Sequence, residues 1–280
     1  TDDPYKVYLT MRFYVYEPLV DVQGFVKQAT LSNDRYSKHE VDFSFKYKDI
    51  DVSNPFNEFK VVLTKNMRWD NAIHDLNPTF VRENEVIYQY DRENVFNAGN
   101  EYRWFEFRDL NYHAARTDSI YFHEGMNHVV LFSDQRRSAS KYFLQTDMNG
   151  NFLIGVQDRQ AFQTDADYAW VHFNLPMSAP FDNGSVYIFG GLGLFDYTRE
   201  TRMCYNYDRK RYEAMIYLKQ GTYNYQYIFL EDGKEVGDEG LLEGNHWQTR
   251  NEYKIWIYHQ GIMDRSYRLI GIKTLLSNQL

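Results

Sequence analysis

The chain has 280 residues, 43% of them hydrophobic and 25% charged, with a formal net charge of -8. That is enough apolar material for one large or two ordinary domains, and a sign of charge that does not draw the chain to phosphate backbones or anionic lipid, so no nucleic-acid partner is expected. A single cysteine, Cys204, rules out an internal disulfide and a cysteine-cluster metal site, and no apolar run approaches the roughly 20 residues a membrane-spanning helix needs.

The aromatic share is 18%, from 25 Tyr, 20 Phe and 5 Trp. Such rings suit pleated, half-buried surfaces, because one side of a phenol packs while its hydroxyl stays wet. Residues 1–18 open without a basic or apolar leader at Thr1-Asp2-Asp3-Pro4, and Tyr5 to Tyr16 reads as one strand closed by Glu17-Pro18. With no hairpin partner before it, this segment is expected to be the final strand of an upstream sandwich domain.

A second block, 19–146, alternates most clearly at Val41, Phe43, Phe45 and Tyr47 against Asp42, Ser44 and Lys46. Further strands are expected at Glu58 to Leu63, Glu85 to Tyr90, Tyr102 to Asp109, Ser119 to His123, His128 to Phe132 and Lys141 to Gln145. Short strands with turn-rich spacers predict an immunoglobulin-like β-sandwich. Residues 147–167 begin with the turn Asp147-Met148-Asn149-Gly150-Asn151 and read as a linker or hairpin.

The third block, 168–280, predicts a second sandwich with strands at Tyr168 to Asn174, Ser185 to Phe189, Met203 to Asn206, Glu213 to Leu218, Tyr223 to Leu230 and Glu252 to Tyr258. Asp232-Gly233 follows as a turn signal, since that pair tolerates positive φ. The fold expected is therefore all-β, with antiparallel sandwiches in tandem and nothing longer than a turn or two of helix.

Catalytic constellations are sparse. His123-Glu124-Gly125-Met126-Asn127-His128 approaches a zinc-protease motif, but the second histidine is five residues on rather than four and Gly125 weakens a helix. Ser138-Ala139-Ser140-Lys141 has a serine–lysine spacing without its companion motifs. Phe189-Gly190-Gly191-Leu192-Gly193 has glycines but no following helix, and reads as a bend. Glu231, Asp232, Glu235, Asp238, Glu239 and Glu243 lack EF-hand spacing and read as a solvated acidic loop. Asn183-Gly184-Ser185 is an N-glycosylation triplet, meaningful only in a eukaryotic secretory setting. Cys204 reads as a small core residue. No enzyme activity, metal or cofactor is expected. The aromatics Tyr223, Tyr225, Tyr227 and Phe229 share one face of one strand, either core or, because three phenol hydroxyls need partners, a partly exposed binding face.

The third block resembles a known family in Gly184-Ser185-Val186-Tyr187-Ile188-Phe189-Gly190, Arg202-Met203-Cys204-Tyr205-Asn206, Leu218-Lys219-Gln220-Gly221-Thr222-Tyr223-Asn224-Tyr225-Gln226-Tyr227 and Leu242-Glu243-Gly244-Asn245-His246-Trp247-Gln248-Thr249-Arg250-Asn251-Glu252-Tyr253. The middle block does so in Asn66-Met67-Arg68-Trp69-Asp70-Asn71 and Asn94-Val95-Phe96-Asn97-Ala98-Gly99-Asn100-Glu101-Tyr102-Arg103. These stretches resemble the type IX secretion system plug proteins of Bacteroidota. The resemblance implies a periplasmic, non-enzymatic protein that docks on an outer-membrane translocon barrel and closes its periplasmic mouth, with a further sandwich domain preceding Thr1.

The third block is also similar, more distantly, to early-set immunoglobulin-like domains that bind glycogen and starch. That likeness implies an alternative role as a carbohydrate-binding module, with Leu194-Phe195-Asp196-Tyr197 where those domains carry tryptophans. The candidate binding surface is accordingly Phe195, Tyr197, Tyr223, Tyr225, Tyr227 and Trp247. Asp118-Ser119-Ile120 matches the O-glycosylation triplet of these bacteria, making Ser119 a candidate glycan acceptor.

Overall fold

The structure, a computed structural model, describes residues 13–157 and 165–278. It is all-β, as expected, and is built on two sandwiches. The first pairs β1 (Val20–Gln28), β2 (Lys38–Tyr47), β6 (Glu85–Tyr88) and β5 (Phe80–Arg82) in one sheet, with β7 (Val95–Asn97) alongside the start of β2. The facing sheet has the order β18 (Arg268–Leu276), β17 (Glu252–His259), β3 (Phe59–Lys65), β4 (Arg68–Ile73). Val41, Phe43, Phe45 and Tyr47 of β2 all point into the core, where Val61, Leu63, Ile255 and Ile257 of the other sheet meet them. The period-2 pattern thus sets the face that β2 buries.

The second sandwich places β14 (Cys204–Asn206), β15 (Arg211–Lys219), β12 (Tyr168–Pro176), β10 (Met126–Leu131) and β9 (Thr117–His123) in one sheet. Opposite, β16 (Gly221–Glu231) pairs with β8 (Arg103–Glu106), β11 (Phe152–Ile154) and β13 (Gly184–Phe189). One ladder departs from the antiparallel rule, because β10 runs parallel to β12. Parallel neighbours need a crossover connection, and here the intervening chain supplies β11 to the opposite sheet.

The domain boundaries differ from the tandem arrangement expected. Residues 103–131 contribute Phe105, Phe107, Val129 and Leu131 to the second core, while β17 and β18 return to the first. The second sandwich is therefore nested inside the first. Local alternation cannot reveal this, since it says that a strand has a buried face and not which sheet will cover it. Residues 147–167 are not a plain linker either, because β11 lies within them. Lys141 to Gln145 forms no strand. Of the expected first strand, residues 5–12 lie outside the described residues and 13–16 are not in a strand. Tyr14 instead lies over Trp256 and Trp69, with ring centroids 4.5 and 6.3 Å away.

The chain crosses between sandwiches twice, at residues 98–102 and 244–251, and the crossings are tied together. Gly99 O accepts from His246 N at 2.8 Å and from Thr249 Oγ1 at 2.9 Å, and Asn251 Nδ2 donates to Ala98 O at 2.8 Å. Beside them the short helix α2 (Gly240–Glu243; α1 spans Pro55–Glu58), with Glu239 as its N-cap, sets two carboxylates one turn apart. Glu239 accepts from Lys65 Nζ at 2.7 Å and Arg68 Nη1 at 2.6 Å, both from the first sandwich. Glu243 accepts from Arg103 at 2.9 Å, Arg137 Nε at 2.7 Å and Tyr227 N at 2.8 Å. These two glutamates are buried, contrary to the expectation of a solvated acidic loop.

Burial alone would raise both carboxyls, but Arg68 and Lys65 hold Glu239 well below the usual range, and Arg103 and Arg137 do the same for Glu243. A depressed folded-state pKa means stability that is complete above the unfolded value of 4.5 and lost as pH falls toward the folded value. Urea midpoints should therefore decline below about pH 4.5. At pH 7, Glu243→Gln, which leaves the buried Arg103 and the partly exposed Arg137 underpaired, should cost about 3–5 kcal/mol, with a smaller penalty at pH 3. Ending the chain at residue 244 should abolish the near-UV circular dichroism of the first sandwich, because β17 and β18 form half of one of its sheets.

Candidate functional site

Three of the six residues expected to form a binding surface lie inside the second core. Tyr223, Tyr225 and Tyr227 are 2%, 0% and 0% exposed. Their face of β16 turns toward Phe105 and Phe173, with Tyr225 edge-on to both rings at 5.6 and 5.2 Å. The hydroxyls that argued for exposure are provided for. Tyr225 and Tyr227 both donate to Asp134 Oδ2, at 2.6 and 2.8 Å, and Tyr223 donates to the carbonyl of Lys219. Asp134 is itself held by Arg103 Nη1 at 2.9 Å and by Arg116. Burial, with Asp134 alongside, pushes both phenols well above their ordinary range, so they stay neutral donors.

The other three do not converge. Phe195 is half-buried, edge-on to Phe189 at 6.0 Å. Tyr197 points into the junction, where its hydroxyl donates to Asp70 Oδ2 at 2.6 Å. Trp247 sits in the second crossing, its carbonyl bonded to His39 Nε2 at 2.5 Å. Ser119 lies mid-strand on β9 opposite Val130, half-buried. Cys204 is exposed rather than in the core, because Met203 and Tyr205 on either side take the inward positions. His123 and His128 close a hairpin whose turn, Glu124-Gly125, has φ of 50° and 81°, so no helix brings them to one metal. Among the described residues no three His, Cys, Asp or Glu side chains converge on a metal position.

What the structure does present is the outer face of the β14–β15–β12–β10–β9 sheet. Along β12, Ala169, Val171, Phe173 and Leu175 enter the core, so Tyr168, Trp170 and His172 stand outward. Register then aligns Tyr217 beside Trp170, Met215 beside His172 and Tyr121 beside His128. Tyr121, Tyr168, Met215 and Tyr217 are each 43–48% exposed. Trp170 and Tyr168 flank Tyr217 with ring centroids at 4.9 and 5.0 Å. Tyr121 stacks flat on His128 at 4.9 Å, and His128 Nδ1 lies 2.9 Å from His172 Nε2.

A wall rises over this platform from residues 191–202, which leave β13 at Gly190, where a Cβ would lie 2.8 Å from the carbonyl of Asn224. Leu194 and Phe195 then adopt φ of 57° and 56° and turn the chain back over the sheet. Leu194, Arg199 and Glu200 line one side of the resulting open groove of about 1110 Å³, and Trp170, Met215 and Tyr217 line its floor. Burial, together with neighbouring His128, lowers the pKa of His172, which favours the neutral imidazole at that position. The floor around Trp170, Met215 and Tyr217 is thus ring-rich, with Arg211 and Glu213 further along β15 and Arg199 and Glu200 at the rim, and it suits apolar contact and ring stacking. Sequence reasoning placed the β12 strand but not this face. The signal was present in Trp170 and His172 standing at the polar positions of an otherwise regular alternation.

Core and platform make opposite demands. Tyr227→Phe should lower stability by about 1–2 kcal/mol, because Asp134 loses a buried donor, whereas Tyr217→Ala should shift the urea midpoint by less than half as much.

No protein-family model and no curated protein matches the sequence. The fold is similar to that in the crystal structure of a hypothetical protein from Parabacteroides merdae, at 37% identity and a TM-score of 0.90. The match covers 94% of this chain and 66% of that one, so the chain spans just under two thirds of the length of the protein it resembles.

Proposed function

We propose that this protein is a non-enzymatic periplasmic binding protein that docks on an outer-membrane type IX secretion translocon barrel and closes its periplasmic mouth sterically, with the outer face of the β14–β9 sheet as the contact. The observation that carries the choice of surface is the open row of Tyr168, Tyr217 and Trp170, with Met215 beside it, on a rigid sheet. Large rings held by a scaffold lose little conformational freedom on binding and are the residues that dominate protein contacts. The motif resemblance in both blocks supports the identity of the partner. No helix among the described residues is long and apolar enough to cross a membrane.

The same ring row favours a second reading, a glycan-binding module, since sugar faces stack on Trp and Tyr while rim groups such as Arg199 and Glu200 can meet hydroxyls. Phe195 and Tyr197, the positions suggested by the glycogen-binding likeness, are engaged in packing and do not contribute to it.

Purification of the full-length protein from crosslinked native outer membranes should bring down the translocon barrel, and Trp170→Ala with Tyr217→Ala should reduce its recovery at least tenfold. Failure to recover any barrel after crosslinking overturns the plug reading. Heat released on titrating linear glucans, lost in the same double variant, would establish the glycan reading instead. A native intact mass equal to that of the unmodified chain would remove Ser119 as a glycan acceptor.

A further inference from the structure

The first crossing carries a carboxylate whose surroundings the plug reading does not use. Glu101 is 1% exposed, and its Oε1 accepts from Tyr142 Oη at 2.5 Å and from Arg250 N at 3.2 Å. Its Oε2 is buried without any hydrogen-bond partner. Glu101 lines a cavity of about 420 Å³ together with Gln145, Asp147, Asn149, Asn251 and Ser277. Asn149 Oδ1 is a second buried acceptor there without a donor.

Asp147 is oriented by its own loop. Its Oδ1 accepts from Asn149 N at 2.8 Å and its Oδ2 from Tyr102 N at 2.5 Å, which places this carboxylate against the backbone next to Glu101. Burial raises the pKa of both carboxyls, and Asp147 adds to the rise at Glu101, which reaches about 7 despite its bond from Tyr142. Arg250 lines the same cavity. Arg137 is already committed to the Glu101 carbonyl at 2.7 Å and to Glu243. Arg250 offsets part of the rise at Glu101, yet Glu101 Oε2 and Asn149 Oδ1 are left without a donor.

As the side chains stand, two buried oxygens, Glu101 Oε2 and Asn149 Oδ1, have no donor. A hard divalent cation accepts from carboxylate and amide oxygens together, completes its shell with water, and does not require three acidic side chains. We propose that this cavity binds a Ca²⁺-like divalent cation through Glu101, Asp147 and Asn149. The ion would fasten the Asp147–Asn149 turn to the first chain crossing, whose Glu101 already accepts from Arg250 N of the second, making the relative placement of the two sandwiches responsive to the cation. This goes beyond docking on the outer sheet face and does not depend on it.

Terbium, a luminescent stand-in for Ca²⁺, tests the site directly, because Tyr102 and Tyr142 lie close enough to sensitise it. Excitation near 280 nm should give terbium emission from the folded protein that Ca²⁺ competes away. The thermal midpoint should rise by about 5 °C at a hundredfold excess of Ca²⁺ over its dissociation constant. Glu101→Gln and Asp147→Asn, checked for native circular dichroism, should each lose both responses. Absence of a Ca²⁺ effect in the wild-type chain, or emission that persists unchanged in both variants, overturns the proposal. A variant too unstable to fold is replaced by Asn149→Ala, for which at least a tenfold loss of affinity is expected and an unchanged affinity counts against the site.

Discussion

The arrangement of the two sandwiches depends on one turn of helix. Glu239 and Glu243 leave α2 toward different cationic sites, the first made by Lys65 and Arg68 of the outer sandwich, the second by Arg103 and Arg137 of the nested one. Bringing these charges out of water costs several kcal/mol per ion, so each is tolerable only because nearly every polar atom is paired in good geometry. Arg68 shows how complete the pairing is. It is 0% exposed, grips Asp70 with two nitrogens, gives a third to Glu239, and lies 5.1 Å above the Phe189 ring. The net energy of such a network against an apolar replacement is small. Its effect is on specificity, because a rotated or displaced nested sandwich would leave buried charges unmatched.

The same logic governs the aromatic content. Fifty rings in 280 residues serve two purposes that composition alone does not separate. Where a buried carboxylate such as Asp134 accepts from two phenols, tyrosine becomes a core residue as sound as phenylalanine. Where the outward positions of a strand also carry rings, as at Tyr168 and Trp170, the surplus has no packing role within the sheet. Exposure here follows from strand register and not from residue type.

That distinction explains what could be read from the chain beforehand. Alternation in Val41 to Tyr47 marked a true strand with the correct inward face, and Tyr168 to Asn174 marked a true strand, because period 2 is a local property. Asp232-Gly233 marked a true turn for the same reason, with Gly233 at φ 78°. Pairing is not local. Nothing in Glu252 to Tyr258 announces that Ile255 will sit beside Leu63, and nothing in the acidic run from Glu231 onward distinguishes Glu239 and Glu243 from their solvated neighbours. The candidate surface at Tyr223 to Tyr227 failed on a partner, Asp134, that lies about 90 residues away in sequence. The platform on β12 was missed for the converse reason, since its residues were local but their neighbours were not.

Nesting also orders events during synthesis. β3 must wait for β17, and Leu63 for Ile255, before the outer sandwich can close its second sheet. Contacts so distant in sequence are slow to form from an open chain, because loop closure must be met before they stabilise anything. The nested sandwich has all its strands between Arg103 and Glu231, so none of its pairings waits for β17. Once folded, it holds its own two ends side by side through Gly99, His246 and Thr249, so the gap that separates β3 from β17 shrinks from nearly two hundred residues to the width of a folded domain. The inner domain thus acts as a template that delivers the last two strands to the first.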